Sequence, residues 1–186
     1  MVIPKYSAKH FFSLWLPLLK YTNDNFHILD NPRLKKVDHY KDIDTEEGKH
    51  IANRIWANDE IIDEYIREHP DLLEFDQQCI LRWKKHITGR FFVTREIQKG
   101  AAFMHIKNDK PSVYFVSGIF STFKDLFLPR HLPLFVDTTL LPFRSFIVTD
   151  SFIAMKPLYF SKDVRADLKR YYREARIEGR NYTKID

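Results

Sequence analysis

Histidine is the first residue type to consider, because its spacing often indicates metal binding or acid–base chemistry. The eight histidines lie at positions 10, 27, 39, 50, 69, 86, 105 and 131, and no two are three or four residues apart. No helical face therefore carries a histidine pair of the kind that commonly binds zinc. The one cysteine, Cys79, excludes a multi-cysteine metal site and an intramolecular disulfide. We predict that the protein binds no metal and no cofactor.

Motifs for nucleotide or acyl chemistry are missing from the sequence. The chain has only five glycines, none in a phosphate-binding loop, and it has no nucleophile elbow. An enzyme of this sequence would have to assemble its site from dispersed side chains such as His105, His131, Asp137 and Asp150. A deep pocket lined by two or more of these residues would favour an enzyme.

Polar residues interrupt the apolar segments of the C-terminal half at two places. Asp137, followed by Thr138 and Thr139, either lies in a cleft or hydrogen-bonds at a β-bulge. Arg144 and Asp150 flank a short apolar segment, and they either pair at the rim or select a ligand at the mouth of a barrel. We favour the structural interpretation at both places, because buried polar groups normally satisfy one another. Asp137, Arg144 and Asp150 stay candidate binding residues.

A C-terminal helix is predicted from Ser161 to about Gly179, with the serine as its N-cap and the glycine in the favoured terminal position. Basic residues recur along it at intervals of three or four: Arg165, Lys169, Arg173, Arg176 and Arg180. Such a stripe can bind a phosphate backbone or an acidic protein surface.

The alternative for this helix is an ordinary solvated face. Three acidic residues lie close enough in sequence to neutralise part of the stripe: Asp167, Glu174 and Glu178. We therefore favour the solvated face. We expect at most weak polyanion binding without sequence specificity, through Arg165, Lys169 and Arg173, and such binding should fall steeply with salt.

The region 89–160 is predicted to be rich in strands. Apolar alternation and turn residues indicate five strands: Arg90–Glu96, Ala101–Ile106, Ser112–Ile119, Leu134–Pro142 and Ser145–Met155. The last is expected to be irregular at Asp150. In the first strand, Phe91, Val93 and Arg95 share one face of a two-residue period. A short helix from Ser121 to Leu128, capped by Ser121, separates the third strand from the fourth.

Helices are predicted before this region. Their ranges are Ser7–Tyr21, Thr45–Asn58, a helix capped by Asp59 that ends before Pro70, and Asp76–Ile87. The first is expected to bend or end near Pro17 and to pack through Phe11, Trp15, Leu18 and Leu19. Its apolar segment of nine residues is too short to span a membrane, so we expect no membrane insertion.

The fold class that follows is α+β. A helical N-terminal half is expected to pack on a small, curled, mainly antiparallel five-stranded sheet or barrel, followed by the C-terminal helix. With 186 residues and 22.4 kDa, the chain is interpreted as one domain with parts 1–88, 89–160 and 161–186. The formal net charge of +5 permits acidic partners without requiring them. One cysteine favours a reducing compartment, which we take to be the cytoplasm.

Four segments resemble a group of uncharacterised bacterial proteins. They are FFSLWLPLLKYTNDNF at 11–26, RWKKHITGRFFVTREIQKGAAF at 82–103, LLPFRSFIVTDSF at 140–152 and YYREAR at 171–176. The resemblance covers most of the chain, and it implies a bacterial origin but no activity and no functional residue. Our leading hypothesis is a non-enzymatic binding or interaction module with another protein as a partner. The alternatives are an enzyme with a dispersed site and a weak nucleic-acid binder.

Overall fold

The computed structural model of the chain describes residues 2–29, 44–98, 100–127 and 132–186. Two compact units are formed, one by Pro4–His86 and one by Ile87–Asp186 together with the N-terminal residues up to Ile3. The first unit is helical, and the second consists of a sheet with a C-terminal helix. The fold class is therefore α+β, as predicted. Among the residues described, no helix is long and apolar enough to cross a bilayer.

The helical unit contains four α-helices and a short 3₁₀ helix. Their bounds are α1 Lys5–Phe26, α2 Thr45–Ala57, α3 Glu60–Glu68, α4 Glu74–Leu81 and the 3₁₀ helix Arg82–Lys85. The N-cap of α2 is Asp44, whose Oδ1 accepts hydrogen bonds from the main-chain N–H groups of Glu46 (2.9 Å) and Glu47 (3.2 Å). This cap satisfies two of the donors that every helix N-terminus leaves without an intrahelical partner.

The core of the helical unit is built around α1. The four predicted apolar residues of α1 are buried, and Trp15 stacks on Trp56 at 5.3 Å and meets the edge of Trp83 at 5.6 Å. The predicted end near Pro17 is wrong, because α1 continues through this residue to Phe26. Buried side chains on both sides of Pro17 hold the helix in place and outweigh the loss of one main-chain hydrogen bond.

The predicted fourth helix, Asp76–Ile87, is wrong at its C-terminal end. The α-helix stops at Leu81, and Ile87 is the first residue of the sheet. The β-branched pair Ile87 and Thr88 favours a strand, which overrides the apolar spacing that had indicated a helix.

The sheet unit contains seven strands among its described residues. They are β1 Ile87–Ile97, β2 Gly100–Lys107, β3 Lys110–Val116, β4 Leu134–Phe143, β5 Phe146–Thr149, β6 Ala154–Lys156 and β7 Asn181–Tyr182. The helices of this unit are α5, Phe123–Leu126, and α6, Lys162–Ile177. The cap of α5 is Thr122 and not Ser121 as predicted, because Thr122 and Asp125 form a reciprocal capping box.

Five of these strands are paired in a closed ring. Antiparallel pairs join β1 to β2, β2 to β3, β1 to β4 and β4 to β5. The parallel contact of Val116 with Ile147 closes the ring between β3 and β5, and the Ser117 N–H donates to the Ile147 carbonyl at 2.8 Å. The curled, mainly antiparallel sheet is confirmed, while this parallel closure was not predicted.

The expected irregularity at Asp150 is confirmed. Leu140 and Asp137 lie three positions apart on β4, but their partners Thr149 and Ala154 lie five apart, so two extra residues are inserted on the partner strand. The predicted strand Ser145–Met155 is therefore divided into β5 and β6. Both parts pair with the same edge of β4.

The sheet buries apolar residues on both faces. One cluster contains Phe91, Val93, Phe103 and Leu140, with Ile185 among them. The opposite face carries a second cluster in which α6 covers β2 and β3, and its buried members are Ala102, Met104, Val113, Phe160, Leu168, Tyr172 and Ala175. Helix α6 is thus positioned by its apolar face, which leaves its other faces to solvent.

The last residues of the chain complete the edge of β3. The short strand β7 pairs in parallel with Val113 and Tyr114, and the ring of Tyr182 stacks on that of Tyr114 at 5.2 Å. Ile185 then enters the first apolar cluster. The sequence did not predict this strand, since two residues carry no periodicity.

Candidate anion-binding cleft

Helix α6 begins and ends as predicted. The Ser161 Oγ accepts a hydrogen bond from the Val164 N–H at 3.3 Å, and Gly179 follows the last turn in the left-handed region with φ 70°. Its buried face consists of Leu168, Tyr172 and Ala175. The predicted basic residues lie beside this face.

The three acidic residues named above, Asp167, Glu174 and Glu178, are bound to arginines at the margin of the stripe or outside it. Asp167 pairs with Arg170 at 2.9 Å. Glu174 and Glu178 both pair with Arg180, at 3.2 and 2.7 Å. Of these ion pairs, those of Glu174 and Glu178 engage the last residue of the stripe, Arg180, and the pair of Asp167 engages Arg170 outside it. Arg173, at the centre of the stripe, forms none of these pairs but shares a groove with all three carboxylates.

The centre of the stripe consists of Lys169, Arg173 and Arg176, which we call the basic row. All three side chains are exposed. The Arg173 Nε donates to the Lys169 carbonyl at 3.4 Å, and the three acids of α6 have other partners. The row therefore presents three cations to solvent on one helical face.

Arg165, the first residue of the predicted stripe, has a structural role. Its Nε donates to the Phe160 carbonyl at 3.1 Å and its Nη1 to the Leu132 carbonyl at 2.9 Å. These bonds tie α6 to the segment that precedes β4. The side chain is half-buried, and its two hydrogen bonds hold the guanidinium in one orientation. A fully exposed arginine side chain has no such restraint.

A β-bulge in β1 adds a further cation to this region. Val93 pairs with Phe103 and Arg95 pairs with Ala102, so Thr94 is an extra residue between two regular pairs. Arg95 is thereby placed on the face covered by α6, with its guanidinium carbon 4.1 Å from the centroid of the Tyr172 ring. The predicted face of Arg95, shared with Phe91 and Val93, is wrong because a bulge reverses the alternation.

These elements enclose a cleft of about 500 Å³. It is lined by Thr94, Arg95 and Glu96 of β1, by Leu132 and Pro133, and by Arg165, Leu168, Lys169 and Tyr172 of α6. Three cations and one carboxylate therefore surround one cavity of the size that small ligands occupy. A groove of about 620 Å³ on another side of α6 is lined by that helix alone and mixes both charges, so we regard the cleft as the better site.

The candidates Asp137 and Asp150 lie elsewhere in the sheet. Asp150 is 1% exposed, and its Oδ1 accepts a hydrogen bond from the Phe152 N–H at 3.1 Å. The Thr138 hydroxyl donates to the Phe152 carbonyl at 2.9 Å, and the Thr139 and Thr88 hydroxyls are 2.9 Å apart. These bonds stabilise the irregularity between β5 and β6. The structural interpretation thus holds for Thr138 and Thr139, while that of Asp137 stays a prediction.

Arg144 occupies the turn between β4 and β5. Its φ is 55°, and its guanidinium carbon lies 5.8 Å from the centroid of the Phe143 ring. The side chain is half-buried and belongs to neither cavity. The structure thus places Arg144 and Asp150 apart from the cleft formed by Arg165 and Lys169.

His105 is half-buried on β2 beside Gly89. Its ring atom Cε1 would lie 3.5 Å from a Cβ built on Gly89, which is an ordinary van der Waals contact. Burial, with a smaller contribution from Lys107, lowers the pKa of His105 below its ordinary value. His131 lies outside the described residues. The two cavities are lined by none of His105, Asp137 and Asp150.

The cleft residues at Thr94–Glu96 were not identified from the sequence. A Thr-Arg-Glu segment in a strand carries no motif, and only the pairing register shows the bulge. Within the described ranges, no group of three His, Cys, Asp or Glu side chains lies close enough to hold a metal. Comparison of the chain with family models, with curated proteins and with solved structures gives no match.

Proposed function

We propose that the protein is a non-enzymatic binding module that takes an acidic segment of a partner protein on the basic row. The observation that carries this proposal is the distribution of ion pairs on α6. Asp167 pairs with Arg170, and Glu174 and Glu178 pair with Arg180, so Lys169, Arg173 and Arg176 have no carboxylate partner among the described residues and can bind an external anion. The sheet supplies a rigid base for the helix.

The row suits a peptide better than a nucleic acid. From Lys169 to Arg176 it spans seven residue steps of helix, which is about 10 Å at roughly 1.5 Å per step. The one aromatic side chain of the cleft, Tyr172, is 5% exposed and lies under Arg95, so it offers no face on which a base could stack. A short row without a stacking platform fits a short acidic segment.

The bacterial cytoplasm is part of this proposal. Support comes from the resemblance to bacterial proteins and from the single cysteine of the sequence, Cys79, which leaves no intramolecular disulfide for an oxidising compartment to form. Electrostatic binding of this kind steers association and responds to salt, which suits a reversible interaction in that compartment.

Fluorescence anisotropy with a labelled Glu/Asp-rich peptide tests the proposal. We expect the triple variant Lys169→Glu, Arg173→Glu, Arg176→Glu to lose at least tenfold in affinity, because three attractive charges become repulsive. The matched control is Lys107→Glu, Lys110→Glu, Lys124→Glu, which changes the net charge equally at exposed positions outside α6.

Equal losses in the two triple variants would contradict the proposal, since they would show a response to net charge alone. A single-stranded oligonucleotide of equal charge is the competitor. Tighter binding of the oligonucleotide than of the peptide would favour the nucleic-acid alternative. Binding of the peptide should fall between low and moderate salt.

A further inference from the structure

We infer that the cleft binds a phosphorylated side chain carried by the acidic segment. This inference rests on the proposed function and names the group that the partner places beside the basic row. It is built on the bulge at Thr94, on two oriented guanidinium groups and on the charge of the cavity.

The charge of the cleft matches a phosphate monoester. Arg95, Arg165 and Lys169 contribute three positive charges and Glu96 one negative charge, which leaves two positive charges. A phosphorylated side chain carries roughly −1.5 to −2 at pH 7. A carboxylate carries about half of this and would leave one cation without a counter-charge.

Both guanidinium groups are oriented before a ligand arrives. Arg95 lies over the Tyr172 ring, and Arg165 is held by the carbonyls of Phe160 and Leu132. The fork of Arg95 can donate two parallel hydrogen bonds to phosphate oxygens with little loss of side-chain entropy. Arg165 already donates through Nε and Nη1, so it offers its remaining Nη protons and its charge. Lys169 adds an exposed ammonium group at the same cavity.

The bulge supplies a hydroxyl group as well. The Thr94 Oγ1 lies 3.4 Å from the Ala102 carbonyl, which is a long hydrogen bond. Its proton is therefore held weakly and can turn to a phosphate oxygen. Bulges often lie beside binding sites because they redirect side chains, and here one extra residue brings both Thr94 and Arg95 to the cavity.

The spacing of the basic row indicates which residues of the partner segment should flank the phosphorylated one. Lys169 belongs to the cleft and to the row, and Arg173 and Arg176 follow it at about 6 Å and about 10 Å along the helix axis. An extended peptide rises roughly 3.3 Å per residue. Side chains two positions apart share one face of an extended peptide, so the partner segment should carry an acidic residue two positions from the phosphorylated one, opposite Arg173.

The apolar wall of the cleft fits the same ligand. Leu132, Pro133 and Leu168 also line the cavity. They can contact the Cβ and the main chain of the phosphorylated residue. A volume of about 500 Å³ holds this residue and parts of its neighbours.

Three labelled peptides that differ at one position test the inference. They carry phosphoserine, glutamate or serine, each with a glutamate two positions away, and their binding is measured by fluorescence anisotropy. We expect the phosphopeptide to bind at least tenfold more tightly than the serine peptide and at least threefold more tightly than the glutamate peptide. Arg95→Gln should remove this preference while the serine peptide binds as before.

Two further variants separate the cleft from the row. Thr94→Val should weaken the phosphopeptide alone by about threefold, since it removes one hydrogen bond and keeps the shape of the side chain. Arg173→Gln should weaken all three peptides by the same factor. Thermal unfolding of each variant checks that the sheet unit remains folded.

Equal affinity for the three peptides would overturn the inference and leave the proposed function standing. No binding of any peptide would overturn both. Free O-phosphoserine that competes as well as the phosphopeptide would overturn the assignment to a peptide segment, because a small phosphate ester would then suffice.

Discussion

At the scale of single residues, the buried polar side chains have a structural task. Thr138 and Asp150 are almost fully buried, and both bind the main chain of Phe152. They hold the chain where β5 passes into β6 with two extra residues. A buried polar group that is satisfied in this way specifies one local conformation.

Thr138→Val tests this task. The variant keeps the shape of the side chain but removes the hydrogen bond to the Phe152 carbonyl, so we expect the free energy of unfolding to fall by about 1–2 kcal/mol. Urea denaturation followed by fluorescence measures the change. The exposed Thr183→Val is the control and should change stability by less than about 0.5 kcal/mol. Similar losses of unfolding free energy in both variants would show that the buried hydrogen bond of Thr138 contributes no more to stability than the exposed Thr183 hydroxyl.

His105 should make stability depend on pH. Its pKa is lowered below the ordinary 6.5, because burial disfavours the charged ring, so the unfolded state binds more protons than the folded state. The free energy of unfolding should therefore fall as the pH falls through about 6.5 and level off below the lowered pKa. His105→Gln should flatten this part of the profile, as measured by thermal unfolding between pH 5 and pH 7.5. The exposed His50→Gln is the control, and an unchanged profile in His105→Gln would contradict the assignment.

At the scale of elements, the β1–β2 hairpin and the end of α6 both depend on a glycine with positive φ. Gly100 has φ 148° and Gly179 has φ 70°. A Cβ on Gly100 would lie 1.9 Å from the Val116 carbonyl oxygen, whereas a Cβ on Gly179 would meet nothing within 4 Å. A side chain at Gly100 is thus disfavoured by the backbone conformation and by overlap with β3. A side chain at Gly179 is disfavoured by the backbone conformation alone.

The two alanine variants should differ accordingly. Gly179→Ala should cost about 1–2 kcal/mol, the usual penalty for a left-handed conformation with a side chain. Gly100→Ala should cost more than about 3 kcal/mol, because strand β3 must also move. Denaturant unfolding of both variants measures the difference. Equal costs would mean that β3 moves aside freely.

Elements set by local sequence were predictable, and those set by distant pairing were not. Helix α6 and strands β1 to β3 followed from periodicity, capping and turn residues within a few positions. The bulge at Thr94 could not be predicted, because an extra residue in one strand is visible only in its register with β2. The cleft joins 94–96, 132–133 and 165–172, which are separated by more than thirty residues, and no local pattern connects them.

At the scale of the whole molecule, the absence of a transition metal stays a prediction. The sequence has neither cysteine clusters nor histidine pairs at helical spacing. Elemental analysis of the purified protein should therefore find less than about 0.1 zinc, iron, copper or nickel per chain. A stoichiometric metal that is lost when a histidine is replaced would contradict it. Dialysis against a chelator should leave the melting temperature unchanged.

The parallel strand β7 has a consequence for the order in which the protein can fold on the ribosome. Tyr114 and its partner Tyr182 are 68 positions apart, since 182 − 114 = 68. At roughly 5–20 residues per second, about 3–14 s pass between the synthesis of Tyr114 and that of Tyr182, and the edge of β3 lacks its β7 partner during this time. The nascent chain therefore exposes an unpaired strand edge and the apolar surface that Ile185 later covers. Chaperones have a defined interval in which to bind it, and a slower rate of translation would lengthen that interval.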